Sequence, residues 1–378
     1  MKKILCLILI LLTIISIFTV SVFAEDNFFK FNGSVIGTLD NDGKIVLNKD
    51  STWAINDLLS GNKKRTIVLP KTTIHLRSMI WMGSNKTVIA KGATIIQDSL
   101  IPIAANSSSK LNYNSMKNVT IDGGKWLIKG LAKSTHSTSN FRFAHAQNIK
   151  FKNVYIETNY FSHAVELIAC KNVTFDKCKL IAKGKKNTKG IDEVLQIDVA
   201  SSKTAPSEKS YGSKFVKGQV CKNITVKNCT VKGGRGICTN KTDSDGNKWI
   251  SGHHTNIKIL NNTIYGYTHE ALCLHNAAGV TVKGNEIYSK GSNNNYNIGC
   301  YLLSAGKFKK LSKFKNVFAN NTIKGGRNGL YISSDNGTKF GKITVKNNKL
   351  YAKAGKQAAL AYNYCPRISI SNNKLYKW

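Results

Sequence analysis

The sequence predicts an all-β protein built as a solenoid of stacked coils. A short strand pattern, NVTFDKCKL at residues 172–180, recurs in altered form along most of the chain. A second apolar strand pattern follows each copy, and neither pattern has the period of a helix. The copies lie 23 to 36 residues apart, with one interval of 51. A repeat of this length made of short strands is typical of a solenoid, and we expect stacked coils from about residue 64 to the C-terminus.

The N-terminal residues 1–24 contain two lysines, a long apolar run and the end Val22-Phe23-Ala24. This pattern predicts a secretory signal peptide that is cleaved after Ala24. The alternative is that the apolar run is retained as a membrane anchor. No later run is apolar enough to span a membrane. We therefore expect a secreted protein, extracellular or at the cell surface, in which residues 25–378 form a single domain.

A short helix is predicted over residues 51–61, before the first coil. Ser51 or Thr52 can cap its N-terminus, and Gly61 can end it. The sequence between them, STWAINDLLSG, has an apolar face that includes Trp53. The helix is expected to cover the N-terminal end of the solenoid.

The chain is strongly basic, with a formal net charge of +36 that falls to +34 when Lys2 and Lys3 leave with the signal peptide. A field of this sign concentrates polyanions at the surface. Because the chain is predicted to be exported and has no recognisable nucleic-acid motif, we expect an acidic polysaccharide rather than nucleic acid as partner. A cell-wall polymer and an anionic membrane surface are alternatives. The lysines can also simply keep exposed strands soluble and unpaired.

One turn position of the repeat is occupied by a column of asparagines. Asparagine tolerates the left-handed backbone of a tight turn, and each amide can bond the amide one coil away. The column is predicted to form one line of stacked side chains: Asn262, Asn285, Asn321, Asn348 and Asn373. Cys178 and Cys229 occupy earlier positions of this column, and Cys170 and Cys221 occupy another. These cysteines are interpreted as small buried fillers, with disulfides between neighbouring coils as the alternative.

The predicted helix, the string IDGGKW at 121–126 and the coils with their asparagine column resemble the pectate-lyase-like right-handed parallel β-helix superfamily. The resemblance covers nearly all of the chain after the signal peptide. It implies a right-handed parallel β-helix with a short N-terminal capping helix. Because the superfamily contains lyases, hydrolases, epimerases, esterases and phage tailspikes, the resemblance implies a fold and not one chemistry.

Two successive coils carry a pattern similar to the HxxEL…ExxQxD of polygalacturonase-like and other bacterial β-helix proteins. Here the pattern consists of His163, Glu166, Glu193, Gln196 and Asp198. The string NTKGID at 187–192 is similar to the NTDGID of polygalacturonases, but lysine stands at the position of that family's aspartate, and no GHG string is present. The resemblance therefore does not carry polygalacturonase activity over to this chain.

The second strands of successive coils place polar side chains on one outer face. Alternation points Glu166, Gln196 and Asp198 outward, whereas Glu193 has the inward parity and must reach the face from the turn before its strand. We expect these side chains to converge on one solvent-accessible groove. The predicted catalytic residues are Glu166, Glu193, Asp198 and His163. The predicted substrate-binding residues are Arg142, Gln196, Arg235, His254, Glu270, His275, Tyr301 and Tyr331.

Three functions fit this set of residues. Glycoside hydrolysis uses two carboxyl groups, which favours a hydrolase acting on an acidic, pectin-like or other uronate-containing polysaccharide. A polysaccharide lyase needs a base near the C5 proton and a cation or amide at the substrate carboxylate, roles open to His163, Arg235 and Gln196. The third function is non-catalytic binding of glycan or cell wall, with Arg142–Glu166 and Glu193–Arg235 as ion pairs that hold the coils in register. No cofactor or metal is predicted, except that a lyase would leave room for Ca²⁺.

The chain ends in NNKLYKW, with no helix after the last coil. An uncovered sheet edge invites pairing with another chain. We expect either that Lys374, Tyr376, Lys377 and Trp378 shield this edge or that it mediates an oligomer.

Overall fold

The structure, a computed structural model, describes residues 28–31, 33–48, 52–187, 192–240, 244–245, 248–249, 252–290, 297–304, 311–334 and 340–378. The predicted signal peptide, Ser51 and Lys189 lie outside these residues. Within these ranges, no helix is both long enough and apolar enough to cross a membrane.

Each coil contributes one strand to each of three long sheets, and equivalent strands of successive coils pair in parallel. The first sheet consists of Phe28–Phe31, Ser34–Leu39, Ile45–Leu47, Arg65–Val68, Lys86–Ile89, Met116–Asp122, Ala146–Lys152, Lys171–Asp176, Lys222–Lys227, His254–Leu260, Ala277–Ala278, Thr281–Lys283, Asn316–Ala319, Ile343–Lys346 and Ile368–Ser371. Its N-terminal strands Phe28–Phe31, Ser34–Leu39 and Ile45–Leu47 pair with one another in antiparallel fashion. The predicted right-handed parallel β-helix is confirmed.

The second sheet consists of Thr73–Leu76, Thr94–Gln97, Lys125–Ile128, Tyr155–Asn159, Lys179–Lys183, Thr230–Gly233, Thr263–Gly266, Glu286–Ser289, Thr322–Gly325, Lys349–Ala352 and Lys374–Lys377. The third sheet consists of Ile80–Trp81, Ala104–Ala105, Ser139–Ala144, His163–Ile168, Glu193–Asp198, Arg235–Thr239, Leu272–His275, Ile298–Ser304, Asn328–Ser334 and Leu360–Asn363. Short 3₁₀ helices lie at Leu131–Lys133, Pro206–Tyr211, Ser213–Val216, Leu311–Lys313 and Gln357–Ala359.

The core fills the space between the three sheets with inward side chains that stack from coil to coil. Val, Ile and Leu dominate it. Where the inward position is aromatic, the rings stack too, as at Phe151 and Phe175, whose centroids lie 4.8 Å apart with an interplanar angle of 3°. The alternating apolar pattern of each strand therefore buries a continuous column of side chains.

The asparagine column forms the predicted line. From Asn262 to Asn373, each side-chain amide nitrogen donates to the side-chain oxygen of the next asparagine at 2.8 to 3.0 Å. The same oxygens accept from the backbone N–H one coil away. Cys229 precedes Asn262 in the line, and its backbone N–H donates to the Asn262 side-chain oxygen at 2.8 Å. Each side chain thus satisfies backbone groups that the turn would otherwise leave unpaired.

A second asparagine ladder, absent from the sequence prediction, lies on the surface at the start of the first-sheet strands. Each of its members has a positive φ between 54° and 61°. Their side chains bond one another from coil to coil at 2.8 to 3.0 Å. Its members are Asn85, Asn118, Asn148, Asn172, Asn223 and Asn256.

The cysteines in the described part of the chain are free and buried. Cys221 Sγ accepts from the backbone N–H of Cys170 at 3.1 Å, and Cys229 Sγ accepts from that of Cys178 at 3.3 Å. The interpretation of these four residues as fillers of stacked turns therefore agrees with the structure, whereas the disulfide alternative does not.

The helix near the N-terminus spans Thr52–Leu59. Asn56 ties it to the first coil because its side-chain amide donates to the Met79 carbonyl at 3.0 Å. The side chains of Ile55 and Leu58 in this helix are buried. Trp53, which was predicted to lie on the apolar face, is instead 74% exposed. Trp53 precedes the buried stripe by one position, and so points away from the coil.

The long interval in the repeat contains an insertion, residues 200–219, that folds back over the junction of the third and first sheets. Ala200–Ser201 and Lys217–Gln219 form a short antiparallel ribbon in it. Its Phe215 carbonyl bonds the buried His145 Nε2 at 2.9 Å, and its Glu208 accepts from Ser108. A small apolar cluster seals the contact and consists of Ala144, Ile168, Ala169, Ala200 and Ala205. The insertion therefore covers the ends of the third-sheet strands.

Candidate functional site

The third sheet aligns one outward residue per coil, as predicted. This third-sheet row consists of Arg142, Glu166, Gln196, Cys238, Cys273, Tyr301 and Tyr331, which are paired in register. Neighbouring parallel strands are about 4.8 Å apart. The sequence alignment of the coils therefore placed these side chains beside one another correctly.

Glu166 sits at the N-terminal end of this row in a pair with Arg142. Arg142 Nε lies 3.1 Å from Glu166 Oε2, and the Ser139 hydroxyl donates to the same oxygen at 2.7 Å. The Glu166 residue is only 8% exposed. The Glu166 Oε2 atom therefore accepts a hydrogen bond from Ser139 and forms an ion pair with Arg142.

Arg235 lies between Glu193 and Glu270 in a buried ion-pair triad. Its Nη1 donates to Glu193 Oε1 at 2.7 Å, and its Nε and Nη2 donate to Glu270 Oε2 at 2.9 and 2.6 Å. All three residues are 5% exposed or less. A guanidinium that bridges two carboxylates holds three successive coils in register.

The prediction that Glu193 reaches the outer face from the turn before its strand is wrong. Glu193 is the first residue of the strand Glu193–Asp198 and pairs in register with Arg235. The reason is that Val194 and Leu195 both belong to the apolar core, so the alternation breaks at the start of the strand. Glu193 therefore faces outward, toward Arg235.

Asp198 is completely buried, which corrects the expectation of a solvent-accessible group. Its Oδ1 accepts from the Asn240 amide, and its Oδ2 has no hydrogen-bond partner among the described residues. Burial raises the pKa of the Asp198 carboxyl well above its usual range, and the negative charge of Glu166 raises it further. Burial therefore favours the neutral, protonated form of the Asp198 carboxyl.

The expected open groove is absent from the described part of this face. Besides Asp198, the side chains of Glu166, Glu193, Gln196 and Arg235 are all less than a tenth exposed. The strand pattern could show which side chains share a face, but not that several of them would form ion pairs with one another and be buried.

Two of the three predicted histidines, His163 and His254, differ in their exposure to solvent. His163 is partly exposed, and its Nδ1 donates to the Glu193 carbonyl. His254 does not reach the surface at all: its Nδ1 accepts from the Cys221 backbone N–H and its Nε2 donates to the Asn240 carbonyl, both at 3.1 Å. Burial lowers the pKa of His254 to about 4. The prediction of His254 as a substrate-binding residue is therefore wrong, because it fills a stacked turn.

A cluster of Cys238, Cys273 and His275 lies next along the third-sheet row. Its two Sγ atoms and the His275 Nε2 lie within 4.8 Å of one another. These residues could hold a metal ion, where the sequence had predicted none. Cysteine and histidine are split between two coils in the strings GICTN and ALCLH, so no compact metal-binding motif was present. The alignment of the coils placed the three residues close together, but only His275 was predicted as a site residue.

Tyr301 and Tyr331 continue the row toward the C-terminus as a stacked pair. Their ring centroids lie 5.0 Å apart with an interplanar angle of 9°. His275 meets Tyr301 edge-on at 5.3 Å, and the Arg327 guanidinium lies 5.7 Å from the Tyr331 centroid. Both tyrosines are partly exposed, as the predicted sugar-stacking role requires.

A second row, which sequence reasoning missed, runs along the outer face of the second sheet. This aromatic–lysine row consists of Lys232, Tyr265, Tyr288, Lys324, Tyr351 and Tyr376, paired in register over six successive coils. Every member is partly exposed. Each lies three residues after a member of the Cys229–Asn373 column, and this spacing is the signal that could have found the row.

Along this row, a lysine followed by two tyrosines occurs twice. Lys324 Nζ lies 5.5 Å from the Tyr288 ring centroid and 4.8 Å from that of Tyr351. Lys232 Nζ lies 4.9 Å from the Tyr265 centroid. The Tyr351 and Tyr376 rings stack at 4.6 Å. The row thus presents positive charge and flat aromatic surface together.

The chain is similar in structure to PfbA, a surface adhesin of Streptococcus pneumoniae. One PfbA structure matches with a TM-score of 0.55 and 16% sequence identity, covering 85% of both chains. A second PfbA structure matches with a TM-score of 0.50 and 14% identity, covering 85% of this chain and 91% of that one. No protein-family model matches the chain, and no curated protein matches it by sequence. The similarity in structure supports the right-handed parallel β-helix fold.

Proposed function

We propose that the chain is an extracellular protein that binds acidic polysaccharide along the aromatic–lysine row of the second sheet. The observation that carries this proposal is the unbroken row of six tyrosines and lysines, one in each coil. A linear polymer that crosses the coils meets a new side chain about every 4.8 Å. Tyrosine offers a flat apolar surface with a polar tip, and lysine offers a cation for a carboxylate or sulfate.

The charge of the whole chain supports an anionic partner. The net charge of +36 raises the local concentration of polyanions and speeds their encounter with the surface. The predicted signal peptide favours a polysaccharide outside the cell over nucleic acid. The description of PfbA as a surface adhesin agrees with this location.

Glycoside hydrolysis at the third sheet is the second candidate function, and Asp198 favours it. The Asp198 and Glu166 carboxyl groups lie on neighbouring coils, and burial raises the pKa of Asp198, as is typical of a general acid. This function ranks second because Asp198 is completely buried. Glu193 is no longer proposed as a catalytic residue, because its carboxylate forms an ion pair with Arg235.

The test is a panel of polysaccharides offered to the purified protein. Polygalacturonate and a sulfated glycan are compared with a neutral glucan by retardation in polymer-containing gels, and single-stranded DNA serves as the competing polyanion. We expect retardation by an acidic glycan and none by the neutral one. Equal affinity for DNA and acidic glycans would indicate charge without sugar recognition and contradict the proposal.

The same incubations measure chemistry. New reducing ends without absorbance of unsaturated uronates indicate a hydrolase, and both signals together indicate a lyase. If cleavage occurs, Glu166→Gln is expected to lower its rate by roughly 10²–10⁴-fold, the usual contribution of a proton-transfer group. Binding without either signal supports non-catalytic binding of polysaccharide as the function of the chain.

A further inference from the structure

We propose that Cys238, Cys273 and His275 bind a zinc ion on the outer side of the third sheet. Cys238 and Cys273 pair in register on neighbouring parallel strands. Cys273 and His275 are two positions apart on one strand, so their side chains leave the same face. The backbone therefore directs two thiols and one imidazole to one place.

The distances fit a tetrahedral ion. Zinc binds sulfur at about 2.3 Å and imidazole nitrogen at about 2.0–2.1 Å, which places ligand atoms about 3.5–3.8 Å apart. Here the three ligand atoms lie within 4.8 Å of one another, and Cys273 Sγ lies 3.0 Å from His275 Nε2. Side-chain shifts of about 1 Å or less bring all three to coordination distance of one ion.

The charge balance also favours the ion. Zinc binding converts the two thiols to thiolates and releases their two protons to solvent. The two negative thiolates neutralise the divalent cation, so the buried site gains no net charge. Arg235 Nη1 lies 3.7 Å from Cys238 Sγ and can donate a hydrogen bond to that sulfur when it coordinates the ion.

Asn240 and Asp198 supply an independent observation that points to the same place. Thr239 and Leu274 pair in register on neighbouring strands. Asn240 follows Thr239 and His275 follows Leu274, so Asn240 and His275 occupy equivalent positions on neighbouring coils. Asn240 Oδ1 lies 3.8 Å from Cys238 Sγ, while its amide nitrogen is held by Asp198. Asp198 is completely buried, and its Oδ2 has no partner among the described residues. Asp198 thus orients the Asn240 oxygen toward the open fourth position of the site, as outer carboxylates do in zinc proteins.

The experiment uses the full exported chain, purified with a reductant and freed of metal by chelation. Zinc is titrated against a chromophoric chelator, and cobalt(II) replaces zinc for absorption spectroscopy. We expect one zinc ion per chain, and a cobalt complex with the strong visible absorption of tetrahedral geometry and a sulfur-to-metal charge-transfer band. Cys273→Ser and His275→Gln are each expected to weaken zinc binding by more than about 100-fold. Asn240→Ala is expected to weaken it by about 10-fold, as is usual for an outer or weak ligand.

Cys300→Ala is the matched control because Cys300 is a buried thiol of the next third-sheet strand that faces the core. It is expected to leave zinc binding unchanged. Absence of zinc uptake by the reduced wild-type chain would overturn the proposal, as would a Cys238–Cys273 disulfide that persists in reductant. If a cysteine variant fails to fold, the wild-type cobalt spectrum still decides, because an octahedral spectrum without a sulfur band excludes this site. Loss of polysaccharide binding is scored separately, since the aromatic–lysine row lies on another sheet.

Discussion

The Nη1 atom of Arg235 lies 2.7 Å from Oε1 of Glu193, with both side chains almost completely buried. Because the guanidinium also bonds Glu270, removal of Arg235 leaves two carboxylates without a cation. An uncompensated buried charge costs about 3–5 kcal/mol. We therefore expect Arg235→Gln to lower the free energy of unfolding by about that amount, measured by urea denaturation at pH 7.

The matched control for this prediction is Arg142→Gln. Arg142 pairs with Glu166, but its side chain is 23% exposed, so the loss is expected to be about 1 kcal/mol or less. Equal losses for both variants would contradict the interpretation of the triad as a buried charge network.

The asparagine line gives a second prediction. Asn321 donates to the Asn348 side chain at 2.8 Å and to the Val282 carbonyl at 3.0 Å, and accepts from the Asn285 backbone N–H at 2.9 Å. Asn321→Ala leaves these buried groups unsatisfied, and each one costs about 1–3 kcal/mol. We expect a loss of at least about 2 kcal/mol in urea unfolding.

Asn256 of the exposed ladder is the comparison. Its φ is 59°, so glycine is the replacement that the backbone tolerates, and the repeat itself has Gly279 at the next coil. Asn256→Gly is expected to cost less than about 1 kcal/mol. A larger loss at Asn256 than at Asn321 would mean that the buried line does not dominate the stability of the turns.

The coil register could be predicted from the sequence, whereas the burial of the candidate site residues could not. Strand alternation and the column from Asn262 to Asn373 are local patterns, and they fix which side chains are neighbours. Whether Asp198 meets solvent depends instead on contacts between coils, such as its hydrogen bond with Asn240, that no strand pattern encodes. Tyr288 and Lys324 look like ordinary surface residues one at a time, and form a row only when the coils are aligned. His275 was predicted as a substrate-binding residue, whereas its grouping with Cys238 and Cys273 was not predicted.

Burial of His254 is expected to make the folded state less stable in acid. Burial lowers its pKa from 6.5 to about 4, so the folded state holds it neutral while the unfolded chain takes up a proton below pH 6.5. The stability contributed by the neutral ring is present above pH 6.5 and is lost as the pH falls from 6.5 toward 4. His254→Asn keeps an acceptor for the Cys221 N–H, as Asn262 does for Cys229. Urea unfolding between pH 7 and 4 should show a shallower decline in this variant than in wild type; an unchanged slope would contradict the assignment.

Burial of Asp198 is expected to change the stability of the fold with pH in the opposite direction. Its pKa is raised by burial, so above the unfolded value of about 3.8 the unfolded chain releases a proton that the folded chain keeps. Its contribution to stability is thus fully present below pH 3.8 and is lost as the pH rises toward the folded pKa. Asp198→Asn resembles the protonated form, and we expect it to stabilise the fold at pH 7 and to lose that advantage below about pH 4.

Asp176 is the control for the stability measurement on Asp198→Asn, because the pKa of Asp176 is shifted in the opposite direction. A hydrogen bond from Asn228 lowers its pKa, and Lys227 lowers it further, so its contribution is present above pH 3.8 and lost in more acid solution. Asp176→Asn should therefore destabilise the fold at pH 7, where Asp198→Asn stabilises it. Destabilisation by Asp198→Asn at pH 7 would mean that the carboxyl is ionised in the folded chain.

The aromatic–lysine row gives the last prediction. Tyr288→Ala removes one ring from the row, and loss of one aromatic contact of about 0.5–1.5 kcal/mol would weaken binding of acidic polysaccharide roughly 2- to 10-fold. Lys324→Gln removes a cation that lies near both Tyr288 and Tyr351, so its effect should be larger at low salt than at high salt. Affinity is measured by calorimetry with polygalacturonate, or with whichever acidic glycan the panel selects, at two salt concentrations.

Matched controls separate the row from general charge and surface area. Tyr362 is an exposed tyrosine of the third sheet, and Lys150 is an exposed lysine of the first sheet. Tyr362→Ala and Lys150→Gln change composition and net charge as the test variants do, but leave the row intact. We expect both controls to bind like wild type within a factor of about two, because a single distant charge is screened beyond about 10 Å at 0.1 M salt. If Lys150→Gln weakens binding as much as Lys324→Gln, the polysaccharide is held by overall charge and the row is not its site.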